Sequence, residues 1–79
     1  MIPLADAPVN ELLRIERLMG VEKNVRHLQS LGFTKNANLT LVKNDHGDVV
    51  IIIGSQKIAM NQISSSQIFV CKVEKRVKI

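Results

Sequence analysis

Residues 21–41 read VEKNVRHLQSLGFTKNANLTL, and the apolar spacing changes its kind inside this stretch. Val21, Val25, Leu28 and Leu31 recur at steps of four, three and three. At roughly 100° per residue they share one face, which predicts an amphipathic helix over residues 21–31. Lys23, Arg26 and His27 fall on the remaining surface. Glu22 sits in the first turn, where a carboxylate suits the positive end of the helix dipole. Gly32 follows the last periodic residue and is expected to close the helix in a left-handed conformation, with Phe33 re-entering the core behind it. Beyond Gly32 the period becomes two. Leu39 and Leu41 face one side, Asn38 and Thr40 the other, as in a half-buried strand.

Working outward, Glu11 to Leu18 also alternates, with Leu13 and Ile15 on one face and Arg14 and Glu16 on the other. The alternation slips after Arg17, where Leu18 claims the core, and a β-bulge or strand end accounts for the slip. Met1 to Pro8 is expected to be an extended lead-in, because Pro3 and Pro8 exclude a helix interior. Leu4 is its apolar anchor. Downstream, Ala37 to Asn44 is a strand and Asp45-His46-Gly47-Asp48 a turn in which Gly47 can take positive φ. Asp48 to Ile53 is continuously apolar and β-branched after its first residue, a strand expected to have little exposed face. Gly54-Ser55 is a second tight turn, and Gln56 to Met60 the returning strand. Asn61 to Ser66 reads as a short helical turn capped by serine hydroxyls, and Gln67 to Val73 as the last strand. Successive hairpins, short strands and one inserted helix predict a mainly β domain: a small, strongly bent sheet or closed barrel of five or six strands.

A chain of 79 residues holds one core, since a domain this small buries only about 60% of its unfolded surface. Hydrophobic residues make up 46% and aromatics 3%, so that core is aliphatic. One cysteine, Cys71, permits no internal disulfide and no Cys-x-x-Cys metal knuckle, which points to a reducing compartment. Met1 to Val9 carries Asp6 and two prolines and does not read as a secretion signal. The longest apolar run, Val49 to Ile53, is far shorter than the roughly 20 residues that span a bilayer. The expected location is the cytoplasm. Net charge is +4, of which residues 72–79 supply +3 through Lys72, Lys75, Arg76 and Lys78 against Glu74. Residues 74–79 therefore read as a basic C-terminal tail on a nearly neutral domain. Such a tail is ordinarily solubilising; a contact with an anionic surface is the sharper reading.

Chemistry-bearing residues are sparse. His27 and His46 are the only imidazoles and lie far apart, whereas zinc and iron sites gather three or four ligands. Asp45, His46 and Asp48 cluster in sequence and could hold a cation weakly, but they also make an ordinary polar hairpin tip. Cys71 reads as a small hydrophobe in a strand, with no neighbouring residue in sequence to lower its pKa. Ser64-Ser65-Ser66 lies in no nucleophile motif. The four glycines are isolated, so no phosphate loop is present. Trp and Tyr are absent, and Phe33 and Phe69 sit in apolar positions, which leaves no stacking platform for single-stranded nucleic acid. No catalytic residue, metal ligand or cofactor site is expected.

The order of these pieces resembles the ferrous iron transport protein A (FeoA) family over roughly Ile2 to Val73. The resemblance is carried by Leu4; Leu13 and Ile15; the helix end Arg26, Leu28, Leu31 and Gly32; Leu39 and Leu41; Val49 to Ile53; Ile58, Ala59 and Met60; and Ile68 with Val70. The family usually has Gly where Asn10 and Asn36 stand here. Asn is the best non-glycine residue for left-handed backbone, so both positions are expected to keep that geometry. The resemblance implies a Src-homology-3-like barrel over residues 1–73 with an inserted α-helix. It also implies a small cytosolic, non-enzymatic accessory protein of bacterial ferrous iron uptake. The implied partner is FeoB, the membrane permease with a cytosolic GTP-binding domain. Lys23, Arg26 and His27 are the candidate docking surface for such a partner, although charges on a helix are more often its solvated face. Two other readings stand beside it: a detached relative of the Src-homology-3-like C-terminal domain of iron-dependent repressors, and a small nucleic-acid-binding barrel.

Overall fold

The period-two segments pair into a single antiparallel sheet. The computed structural model describes residues 1–73. Its strands are β1 (Ile2–Pro3), β2 (Leu12–Leu18), β3 (Asn38–Asp45), β4 (Asp48–Ile53), β5 (Gln56–Met60) and β6 (Ile68–Lys72). Helix α1 (Glu22–Ser30) joins β2 to β3, and the one-turn helix α2 (Gln62–Ser65) joins β5 to β6. The order across the sheet is β1-β6-β2-β3-β4-β5. The last strand thus lies between the first two, and β1 and β5 form the edges.

The inner face is aliphatic, as the alternation requires. Leu13 and Ile15 of β2, Leu39 and Leu41 of β3, Val49, Ile51 and Ile53 of β4, and Ile68 and Val70 of β6 are buried together. Each contributes about 1.5–3 kcal/mol by leaving water. Phe33 and Leu4 are fully buried at the centre. Two bulges bend the sheet around them. Ile15 pairs with Val70 but Arg17 with Phe69, leaving Glu16 extra in β2. Leu41 pairs with Ile51 but Lys43 with Val50, leaving Val42 extra in β3. An extra residue in one strand adds local bend and twist, which lets so short a sheet wrap its own core.

Helix α1 ends as its sequence demands. Gly32 takes φ 104°. The Phe33 N–H donates to Leu28 O at 3.1 Å and the Gly32 N–H to Gln29 O at 3.0 Å. This is a Schellman motif, and the buried Leu28 and Phe33 make the apolar contact that accompanies it. Asn10 and Asn36 are both left-handed, with φ of 62° and 72°. Their N–H groups tie down the β2–β3 pair, Asn10 to Leu41 O and Asn36 to Ile15 O, each at 2.7 Å. The β3–β4 turn has positive φ at both His46 and Gly47, the type I′ pattern that matches strand twist.

Four expectations are corrected. Met1 to Pro8 is not simply extended: after β1 the chain makes a 3₁₀ turn over Leu4–Asp6, which swings Leu4 inward. Prolines flank that turn without interrupting it. Val21 is the N-cap residue of α1 and 64% exposed, so it lies outside the apolar stripe, whose buried residue is Leu28. In β4 the alternation persists despite the apolar run, and Ile52 is 42% exposed on the outer face. The cap of α2 is Asn61, whose side-chain oxygen accepts the Ser64 N–H at 3.1 Å, not a serine hydroxyl. The basic tail assigned to residues 74–79 lies outside the described residues.

Candidate docking surface

Because α1 buries Leu28, its opposite side presents Lys23, Arg26 and His27 to solvent. The structure divides these three. Arg26 forms an ion pair with Glu22 one turn earlier on the helix. Lys23 and His27, four residues apart and so on one stripe, line a groove of about 260 Å³ between α1 and α2. Leu28 and Ile63 form its apolar part and Asn24, Ser64 and Gln67 its polar part. Ile63 is 73% exposed, more than any other large apolar side chain among the described residues. On the other side of His27 a second groove of about 290 Å³ runs toward β5, bounded by Leu31, Ile58 and Met60. The sequence pattern places Lys23 and His27 on this surface but not Ile63, whose exposure depends on how α2 docks.

Helix α2 is held by contacts that sequence spacing does not show. Ser65 is fully buried, and its Oγ donates to Gly47 O at 2.6 Å across the β3–β4 turn. The Gln62 N–H donates to Asp48 Oδ1 at 3.0 Å. A Cβ on Gly47 would lie 2.5 Å from Gln62 Cγ, so glycine is needed there for close approach as well as for its φ.

The weak cation cluster is not assembled. His46 Nδ1 and Asp45 Oδ1 are 2.8 Å apart at the exposed hairpin tip, while Asp48 turns to α2. His27 is on the other side of α2, in the groove. Among the described residues no three His, Cys, Asp or Glu side chains come together.

Cys71 is a correction of a different kind. It does not behave as a hydrophobe: its thiol, half-buried on the outer face of β6, donates to Glu16 Oε1 at 3.0 Å. Arg14 Nε and Nη2 donate to the same oxygen at 3.0 and 2.7 Å. The bulge at Glu16 brings the carboxylate to the thiol, since Cys71 is otherwise the cross-strand partner of Arg14. The hydrogen bond to Glu16, followed by desolvation, raises the Cys71 pKa. The thiol and then the guanidinium, by hydrogen bonding, lower that of Glu16. A raised thiol pKa means less thiolate, hence a poorer nucleophile and metal ligand.

The family model for the FeoA domain matches residues 2–72. The chain belongs to the FeoA family. Solved structures agree on the fold. The crystal structure of an iron uptake regulatory protein (FeoA) superposes with a TM-score of 0.83 at 19% identity, covering 91% of this chain and 97% of that one. Iron(II) transport protein A from Clostridium thermocellum gives 0.82 at 22% identity, covering 91% of this chain and 46% of that one. ScaR with bound Zn2+ gives 0.81 at 17% identity, covering 92% of this chain and 37% of that one. This FeoA-family chain therefore spans less than half the length of the last two. The Src-homology-3-like architecture is common to FeoA proteins and to part of a manganese-dependent transcriptional repressor, a likeness of fold at these identities. No curated protein matches by sequence. Among the described residues no helix is long and apolar enough to cross a membrane.

Proposed function

We propose that this FeoA-family chain is a small, non-enzymatic accessory protein of ferrous iron uptake that works in the cytosol by docking on the cytosolic part of a FeoB-type permease. The observation that supports the docking surface is the groove between α1 and α2, where the exposed Ile63 lies beside Lys23 and His27. Apolar floor and cationic rim have separate effects. Burying Ile63 would supply contact energy, and the rim charge would steer an acidic partner, chiefly through the association rate. Arg26, paired with Glu22, lies on the same helix outside the groove lining.

The experiment reverses Lys23 and Arg26 to Glu together, verifies the fold by circular dichroism, and measures binding to the permease's cytosolic part and iron uptake. Binding should weaken about tenfold at low salt, with the difference shrinking as salt screens it. Unchanged binding removes this helix face. If the wild-type chain binds no part of the permease in any nucleotide state, the transporter reading fails.

A further inference from the structure

The two edges of the sheet are not alike. Edge β1 is two residues long and one of them is Pro3, a blunted edge of the kind that resists pairing. Edge β5 is five residues, Gln56–Met60, without proline or bulge. The Ile53–Gln56 pair closes a two-residue turn, so Ile58 and Met60 turn their backbone groups to β4 while Lys57 and Ala59 turn theirs outward. Among the described residues no backbone hydrogen bond reaches β5 except from β4. A wall faces this edge: the 290 Å³ groove has β5 on one side and α1 on the other.

We infer that β5 and α1 together form a receptor for an extended peptide segment, which adds to β5 as a further antiparallel or parallel strand. The occupant is a partner protein's strand with apolar residues on one face and acidic residues on the other. Its backbone bonds the outward N–H and C=O groups of Lys57 and Ala59. Its apolar side chains enter the groove against Leu28, Leu31, Ile58 and Met60. Its carboxylates meet the exposed Lys57 on the outer face. The carboxylates that stand near Ala59 and Met60 are already engaged, Asp45 by the His46 ring and Asp48 by the Gln62 N–H. Strand addition of this type takes affinity from main-chain bonds and specificity from pockets for alternate side chains. The inference deepens the docking reading and rests on it only for the identity of the partner.

Two probes test it on the full chain: the permease's cytosolic part, and a capped hexapeptide of alternating valine and aspartate. With either bound, amide exchange at Lys57 and Ala59 should slow at least tenfold. Ala59→Pro should weaken both complexes at least tenfold without unfolding the chain, because proline there removes an outward N–H and no ladder bond. N-methylating the peptide's backbone should do the same while leaving the protein untouched. Equal affinity for the methylated peptide, or a bound peptide that leaves both amides unprotected, overturns the inference. So does protection of those amides in the chain alone, which would mean that its own residues or a second copy already fill the edge. If the permease binds and Ala59→Pro makes no difference, the edge is excluded and the docking reading survives. If the peptide adds to β5 and the permease does not bind, the edge stands and the permease reading fails.

Discussion

Ser65→Ala should cost the domain about 2 kcal/mol, although it removes one oxygen atom from a four-residue helix. The Ser65 hydroxyl has a single proton and two acceptors in reach, Gly47 O at 2.6 Å and Gln62 O at 3.2 Å. The shorter contact holds the bond. A neutral hydrogen bond contributes about 0.5–1.5 kcal/mol net, but a buried carbonyl left without its donor costs about 1–3 kcal/mol. Gly47 is buried, so the second range governs. Urea denaturation followed by far-ultraviolet circular dichroism reads the loss directly. With a slope of about 1 kcal/mol per molar for a small domain, the midpoint should fall by about 2 M. The thermal midpoint should fall by about 8–16 °C. Ser66→Ala, at an exposed neighbour, is the control and should stay within about 0.5 kcal/mol. A Ser65→Ala loss no larger than that of the control would refute the claim that this hydroxyl pins α2 to the β3–β4 turn. Because α2 carries Ile63, the same variant should also speed amide exchange in α2 and loosen the groove.

Leu28→Ala should destabilise by roughly 2–5 kcal/mol, the range for truncating a buried leucine. A change under about 0.5 kcal/mol in the same urea titration would show that α1 is not seated on the core. The Arg14–Glu16–Cys71 cluster should give stability a pH dependence on both sides of neutrality. Glu16 has a lowered folded pKa, so its contribution is present above the unfolded carboxyl value of about 4.3 and is lost as pH falls through the folded one. Cys71 has a raised folded pKa, so its contribution is present below the unfolded thiol value of about 8.5 and is lost as pH rises through the folded one. Urea titrations across pH should show Glu16→Gln flattening the acid limb and Cys71→Ser the alkaline limb. Limbs unchanged by these variants would mean that the cluster does not couple to folding.

The fold was legible where neighbours in sequence determine structure. The change of period at Gly32, the alternation in β2 and β3, and the two-residue turns are local signals, and each corresponds to an observed element. The left-handed φ of Asn10 and Asn36 followed from side-chain chemistry, since asparagine is the non-glycine residue best suited to that backbone. Local reasoning failed where two local rules competed. The run Asp48 to Ile53 contains five β-branched apolar residues, which hides its alternation, and the register that pairs Ile51 with Leu41 and Ile53 with Leu39 is what turns Ile52 outward. Val21 fits the helical spacing, yet it precedes the first helical residue, because helix boundaries depend on which N–H groups find partners.

The candidate surface was legible in its charges and not in its shape, for a reason that also applies to the thiol cluster. Lys23 and His27 are four residues apart, so helical geometry alone puts them on one stripe. Nothing within five or six residues of Ile63 says that it will be exposed beside them. That follows from Ser65 reaching Gly47, 18 positions earlier in the chain. Cys71 meets Glu16 across 55 positions. The strand alternation puts Arg14 and Glu16 on one side, but the pairing of β6 with β2 is needed to place Cys71 there, and the bulge to bring Glu16 within 3.0 Å. In a mainly β chain most site geometry is of this long-range kind, because neighbouring strands are joined through register and not through sequence. The alternation left one signal unused. An odd-numbered bulge in β2 reverses the parity that follows it, so the slip after Arg17 marks the place where an outward carboxylate is displaced toward the next strand.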